Sequence, residues 1–343
     1  MHPDVTREVT IETTGLSRSY ETYKKPEGLL KSIEGFWKRE TIHKIALHPT
    51  SLTVDRGQIV GLVGSNGAGK TTLLKLLSGL IYPSAGTTKV LGYDPHQRQP
   101  EFLRRVSILL GQKAQLWWDL PPADSYELLA KIYEIDSAVA RSRVRELADL
   151  LACTDQLHIQ LRRLSLGERM KMEIIGALLH RPEVLFLDEP TIGLDIIAQT
   201  KIREFLGEYV KAERPTVILT SHYMDDISLL ADRLMLISHG KIVYDGTVSA
   251  FTAKSELRQT LSLKLLHPPA QEVTLRHEFK IGAGERSVRF EMPAQWIADV
   301  LAELMALSPV YDIKIEEVEF EDVIRSFMEQ DARLRAAGRS PTA

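Results

Sequence analysis

Two rhythms of apolar residues alternate along the chain. Short, nearly continuous apolar runs at residues 58–63, 106–110, 184–187, 216–220 and 234–237 predict strands buried on both faces. Between them apolar residues recur at helical spacing, as at Leu73, Leu74, Leu76 and Leu77, or at Ile202, Phe205, Leu206 and Tyr209, and a further helix is predicted around 224–230. Strand then helix, repeated, predicts an α/β fold built on a parallel sheet. Helical periodicity at 125–135, at 144–151 and after Ser165 breaks that alternation and predicts a helical insert over about 113–180.

The flanks read differently. Residues 9–19 alternate as a strand, Leu52 and Val54 mark a second, and 88–91 a short third. Between the first two, Leu29, Leu30, Ile33, Phe36 and Trp37 fall on one helical face, predicting an amphipathic insert at about 24–43. Such a face either packs on its own domain or docks on a membrane surface or membrane partner. Beyond Gly246 come strand-like runs at 261–266, 273–281 and 287–291, a helix at 294–307, a strand at 311–318 and a helix to about 330. The predicted organisation is a domain over 1–248, a small α+β accessory domain over 249–330 and a flexible tail at 331–343.

Composition changes this picture little. The 343 residues are 44% hydrophobic and 26% charged, with a formal net charge of -3, so no global charge attracts nucleic acid. Cys153, the single cysteine, has no partner for an internal disulfide and is expected as a buried small residue in a reducing compartment. No apolar run approaches the roughly 20 residues that span a bilayer, so any membrane role comes through a partner.

The chemistry concentrates at the ends of the predicted strands. Residues 64–71 read GSNGAGKT, entered by a strand and left by a helix, the pattern of a phosphate-binding loop. Gly64, Gly67 and Gly69 let the backbone turn tightly against phosphate oxygens, and Ser65, Asn66, Ala68 and Thr72 complete the cradle. Lys70 brings a compact cation to the β- and γ-phosphates, and the Thr71 hydroxyl can ligate Mg2+. At the tip of the 184–187 strand, Asp188 is suited to hold that metal and Glu189 to orient or deprotonate an attacking water. Ser165 is a good helix N-cap, and Gly167 leaves room for a phosphate. Trp117 and Trp118 are either core aromatics or exposed anchors.

The order of GSNGAGKT, Gln112, LSLGE, LFLDEP, GLD at 193–195 and His222 resembles the ATP-binding cassette (ABC) ATPases over roughly residues 8–250. The wording around Gln112 and Ser165 is similar to ATP-binding subunits of drug, viologen and polysaccharide exporters. The resemblance implies a P-loop NTPase cassette with a RecA-like core, an antiparallel β part and a helical subdomain. ATP and Mg2+ are the implied cofactors, and ATP hydrolysis the implied reaction. Tyr20, with Tyr23 as its rival, would stack on adenine, and Gln112 would sense the metal and the attacking water. Glu189 would be the base, His222 would contact the γ-phosphate, and Asp195 would couple two sites. Ser165, Gly167 and Glu168 would close over ATP on the opposite protomer. In the family signature LSGGQ, Leu166 and Glu168 here replace the first Gly and the Gln, and a carboxylate at 168 is expected to repel triphosphate.

The implied partners are a separate transmembrane permease subunit and a second copy of the chain or a sister ATPase, with no nucleic acid. The implied place is cytoplasmic, peripheral at the inner face of the cell membrane. The rival is a soluble cassette ATPase in translation, DNA repair or cofactor assembly. The single loop motif and the lack of sustained heptads argue against it.

Overall fold

A computed structural model describes residues 8–23, 41–111, 113–254 and 258–316, together with Ile324 and Phe327. The chain divides between Gly246 and Thr247 into two compact units. The first opens with two long strands, β1 (Val9–Tyr23) and β2 (Thr41–Asp55), paired antiparallel with Thr13 opposite Leu52 and Thr22 opposite Ile42. The second strand is thus longer than Leu52 and Val54 alone suggest, and residues 41–43, predicted within the amphipathic insert, belong to it. The remainder of that insert lies outside the described residues.

After β3 (Ile59–Val63) the chain forms α1 (Lys70–Leu77) and β4 (Ala85–Val90), and β4 returns to pair with β1 in the order β2-β1-β4. Next come β5 (Val106–Leu110), α2 (Pro122–Ile132), α3 (Ser137–Leu150) and α4 (Leu166–Leu178). The unit closes with β6 (Val184–Asp188), α5 (Ile196–Glu213), β7 (Thr216–Thr220), α6 (Met224–Leu230), β8 (Arg233–Ser238) and β9 (Lys241–Thr247). These strands build a six-stranded sheet in the order β5-β6-β7-β3-β8-β9, parallel from β5 through β8. The His239–Gly240 turn, with φ of 47° and 76°, reverses the chain into β9 as a tight hairpin requires.

One apolar cluster joins the two sheets. Ile11, Leu47 and Val54 meet Leu73, Leu74, Leu76 and Leu77 of α1, which in turn meet Leu62, Phe186 and Ile218 of the parallel sheet. All four leucines of α1 are at most 1% exposed, so this helix is buried on both sides. Each such side chain contributes about 1.5–3 kcal/mol by leaving water, and together they fix where the helix begins.

The helices α2, α3 and α4 pack on one another beside the sheet. Asp136 caps α3 by accepting from the N–H groups of Ala138 and Val139 at 2.8 and 3.1 Å. Tyr126 of α2 is fully buried and donates its hydroxyl to the Met172 carbonyl of α4 at 2.9 Å. Cys153 is buried nearby with its thiol pushed up to about 11 by burial. Arg143 of α3 ties this helical part to the sheet layer through Glu213 at the end of α5, 3.1 Å away.

In the second unit α7 (Val248–Lys254), absent from the sequence-based prediction, precedes β10 (Arg258–Leu265). The predicted strand over 273–281 is instead two short strands, β11 (Val273–Thr274) and β12 (Lys280–Ile281), paired around a turn. His277 and Glu278 in that turn have φ of 59° and 63°, which ends extended pairing there. β13 (Ser287–Pro293), α8 (Ala294–Leu307) and β14 (Val310–Glu316) follow, giving an antiparallel sheet β13-β10-β14. Its core joins Leu261, Leu263, Phe290 and Met292 to Val300 and Leu304 of α8. The predicted last helix and tail lie outside the described residues, save Ile324 and Phe327.

At the N-terminus of α4 the Glu168 carboxylate, still a negative charge, is engaged by its own turn. Ser165 is its N-cap, and the Glu168 carboxylate turns back to accept from the Ser165 N–H at 2.9 Å and hydroxyl at 2.8 Å, while the Glu168 N–H donates to Ser165 Oγ. This reciprocal capping box holds the charge within its own turn, and the bonds to Ser165 lower the Glu168 pKa. A depressed carboxylate pKa adds stability that is present above the ordinary glutamate range and is lost as pH falls through the depressed value. Glu168→Ala is therefore expected to cost about 0.3–1.5 kcal/mol at neutral pH. In denaturant unfolding the gap between variant and parent should close as the solution is acidified through that range.

Candidate functional site

The parallel sheet sets the place of the site. In open α/β sheets, ligands lie beyond the carboxyl ends of the strands, where neighbouring connections diverge. Here β6, β7 and β3 are adjacent, so Asp188, Thr220 and the 64–69 loop emerge side by side.

The loop after β3 is held close to its surroundings. Ala68 donates its N–H to Ser65 O at 3.0 Å, and Gly240 donates to Ala68 O at 2.7 Å. A Cβ on Gly64 would lie 2.2 Å from the Ile237 carbonyl, and one on Gly69, whose φ is 114°, 2.6 Å from the Ala46 carbonyl. Neither position accommodates a side chain. Ser65, Asn66 and Gly67 are exposed at the loop crest, whereas Ala68, Gly69 and Lys70 are buried. No side chain caps α1, so its first N–H groups are presented to the loop rather than closed off. Lys70 is 5% exposed and donates to Gly64 O at 2.7 Å and Ser65 O at 3.2 Å. Burial lowers its pKa, against the opposing pull of Glu189 and Asp188. The result is a compact cation and a helix N-terminus aimed at one exposed loop, which suits a polyphosphate.

Beside it, Asp188 Oδ1 accepts from Thr220 Oγ1 at 2.7 Å and from Thr71 Oγ1 at 3.2 Å. The Thr71 hydroxyl and the Asp188 carboxylate are hard oxygen donors of the kind Mg2+ takes. Among the described residues no cluster of three His, Cys, Asp or Glu side chains could hold a metal unaided. These two residues therefore fit an ion whose remaining ligands come from phosphate and water.

Glu189 follows in the left-handed region, with φ of 55°, and its N–H is held by the Thr220 carbonyl and hydroxyl, each at 3.0 Å. Its Oε1 lies 2.8 Å from Nε2 of His222, the residue two beyond the end of β7. His222 is not a core histidine, since its side chain is 35% exposed. The sheet thus brings Lys70, Thr71, Asp188, Glu189 and His222 to one edge.

The other sequence-predicted positions are more dispersed. Gln112 lies outside the described residues, but Gly111 before it donates to the Asp188 carbonyl at 2.8 Å, so closely that a Cβ there would lie 2.1 Å from the Glu189 carbonyl. The chain after it is gripped by α4: the buried Glu173 carboxylate accepts from the N–H groups of Gln115 and Leu116 at 3.0–3.3 Å, and its pKa is raised by burial. Arg169 of the same helix lies over the Trp118 ring at 4.8 Å. Trp117 and Trp118 are 41% and 46% exposed, the surface alternative rather than the core one. Gly167 faces Ala198, where a Cβ would be 3.0 Å away, and Asp195 caps α5 by accepting from the Ala198 N–H at 2.9 Å. Tyr20 is half-buried in β1, with the Arg18 guanidinium 4.6 Å from its ring centre, and Tyr23 ends the same strand.

Two residues escaped the sequence reading. Thr220 joins Asp188 to the backbone of Glu189, and the only signal for it was a hydroxyl at the end of an apolar strand. Asp226, 1% exposed, binds the hydroxyls of Thr191 and Ser221, and nothing in its local sequence separates it from its exposed neighbour Asp225.

Comparisons with known proteins identify the family. The ABC transporter family model matches residues 47–192. The ABC transporter ATP-binding protein NatA of Bacillus subtilis (strain 168) is 31% identical over 205 residues, covering 60% of this chain and 83% of that protein. The daunorubicin/doxorubicin resistance ATP-binding protein DrrA of Streptomyces peucetius is 30% identical over 268 residues, 78% of this chain and 72% of that protein. A solved ATP-binding subunit of an ABC transporter shares the fold with a TM-score of 0.58 and 24% identity, over 71% of this chain and 92% of its own. A dimeric post-hydrolysis ATP-binding cassette bound to ADP and Pi also reaches 0.58, at 20% identity over 69% of this chain and 98% of its own. With the phosphate loop, the carboxylate pair and these relatives in agreement, the chain belongs to the ATP-binding, ATP-hydrolysing proteins of the ABC transporter family.

Proposed function

We propose that this chain powers an exporter by closing head to tail, with a second copy or a sister ATPase, over two ATP molecules, and that a separate transmembrane permease moves the substrate. The observation that carries the hydrolytic part is the Glu189–His222 contact of 2.8 Å beside the Asp188–Thr71 pair. In this reading Lys70 and the α1 N-terminus hold the β- and γ-phosphates. Mg2+, when held by Thr71 and Asp188, neutralises charge between the phosphates. Glu189 orients a water and takes its proton as the water oxygen bonds to the γ-phosphorus. The bond from that phosphorus to the β-phosphate oxygen breaks, and ADP leaves with the electron pair. His222 steadies both the carboxylate and the departing γ-phosphate. The capped Ser165 helix end of the opposing subunit meets the same phosphate, so hydrolysis removes what joins the two. Gln112, Gly167, Asp195 and Tyr20 enter in the roles given by their motif positions.

Export is supported by relatives named for daunorubicin or doxorubicin resistance. No helix of the described residues is long and apolar enough to cross a membrane, which fits a peripheral subunit at the inner face. Trp117 and Trp118 are exposed and directly follow Leu116, which lines a groove of about 300 Å³ with Leu80, Leu103, Leu129 and Ile132, and we assign the permease to this surface.

Losing a general base lowers the rate by about 100- to 10,000-fold. Glu189→Gln should show that loss in phosphate release while still binding ATP and persisting as an ATP-bound dimer in size-exclusion chromatography; parental turnover would remove Glu189 from the role. Lys70→Ala should instead weaken ATP binding itself in equilibrium titration. Replacing Trp117 and Trp118 together by Ala should leave ATP hydrolysis by the isolated chain intact and abolish its stimulation by the permease in vesicles. Unchanged stimulation would move the docking surface elsewhere.

A further inference from the structure

Glu189 and His222 sit on connections that leave two different strands, β6 and β7. Their 2.8 Å contact therefore depends on how those two connections are registered against each other beyond the sheet. Strand pairing ends at Asp188 and Thr220, and the two bonds from the Glu189 N–H reach no further than Thr220, so the spacing of Thr191 against Ser221 and His222 is set by contacts beyond them.

Asp226, in the first turn of α6, is placed to do this. Its Oδ2 accepts from Thr191 Oγ1 at 2.5 Å and from Ser221 Oγ at 2.6 Å. Thr191 is two residues beyond Glu189, and Ser221 immediately precedes His222. Ser221 Oγ also accepts from the Tyr223 N–H at 3.0 Å, so the backbone on both sides of His222 is wound onto one hydroxyl. The other oxygen, Oδ1, accepts from Arg203 Nε at 2.9 Å and lies 2.8 Å from its Nη2. Arg203 belongs to α5, the helix that Asp195 caps.

Burial makes this arrangement demanding. Thr191, Ser221 and Asp226 are 1–2% exposed, so water does not replace a bond that is lost. The Asp226 charge is tolerated because the Arg203 guanidinium faces it and three hydrogen bonds, from Thr191, Ser221 and Arg203 Nε, end on it. Removing the charge would leave the guanidinium with the exposed Asp225, 3.7 Å from its Nη1, and would take from the Thr191 and Ser221 hydroxyls the carboxylate oxygen they share.

We propose that Asp226 is a positioning residue for ATP hydrolysis, joining the connection that bears Glu189, the connection that bears His222 and the helix that begins at Asp195, so that the base and the histidine are held in register. The proposal rests on the reading of Glu189 and His222 as the hydrolytic pair. It does not involve the phosphate loop, whose Lys70 and α1 lie on separate elements.

The test uses the full chain with Asp226→Asn, Thr191→Val and Ser221→Ala, each measured for kcat, KM for ATP and affinity for a fluorescent ATP analogue. Misplacement of a reacting group by about 1 Å costs on the order of 100-fold in rate. Asp226→Asn is expected to lower kcat by about 10- to 100-fold with ATP-analogue affinity within about twofold of the parent. Thr191→Val should lower kcat less, and adding it to Asp226→Asn should cost little more, because both remove the same tether. A kcat for Asp226→Asn within twofold of the parent, or a fall in kcat matched by an equal loss of affinity, would overturn the proposal. If Asp226→Asn does not yield folded protein, the two single-hydroxyl variants decide: reduced kcat at unchanged affinity supports the tether, and parental kcat in both overturns it. Glu189→Gln, run alongside, separates the two ideas. Parental turnover in that variant defeats the hydrolytic reading, whereas its inactivity beside a fully active Asp226→Asn defeats the positioning role alone.

Discussion

Accommodating a highly charged ligand on a folded scaffold is the constraint to which the first unit answers. A polyphosphate brought against protein loses water, and the scaffold must supply donors already in place. Here these are the uncapped first turn of α1 and the ammonium of Lys70, which rests on the Gly64 and Ser65 carbonyls. Neither would hold its position alone. Burial of Leu73, Leu74, Leu76 and Leu77 between two sheets anchors the helix, and close packing against Ile237 and Ala46 anchors the loop. The antiparallel strands β1, β2 and β4 are thus part of the phosphate site although none of them needs to touch a phosphate.

The carboxylates sit under a second constraint, that of keeping two negative groups beside that ligand. Asp188 accepts from Thr71 and Thr220, and Glu189 lies 2.8 Å from His222 Nε2, so each acid has a polar neighbour of its own. Thr220 is central because a single hydroxyl both donates to Asp188 and accepts from the backbone of Glu189. Arg203 does for Asp226, one layer deeper, what the hydroxyls do at the surface.

Much of this was legible in the sequence for a physical reason. Parallel strands buried on both faces are apolar along their length, so 216–220 can be read to the residue, and the chemistry must lie where the apolar run stops. Legibility failed where local pattern is silent about distant partners. The extent of β2 is set by pairing with β1, not by its own composition. Leu275 and Phe279 continue an apolar alternation through 273–281, yet two left-handed residues between them break the strand. Glu168 reads as a charge near a ligand, and only the fold shows that it also closes a capping box on Ser165. Asp226 and Asp225 look alike, and only the fold buries one and exposes the other.

The backbone of Glu189 has a wider consequence. A residue other than glycine at φ of 55° carries strain on the order of 1–3 kcal/mol, sustained here by two bonds from its N–H to Thr220. Glycine or asparagine would relax that strain, so redesign ranked by stability favours losing the carboxylate. On the proposed reading of Glu189 as the base, a library of variants sorted by melting temperature alone would enrich for folded, nucleotide-binding proteins that no longer turn over.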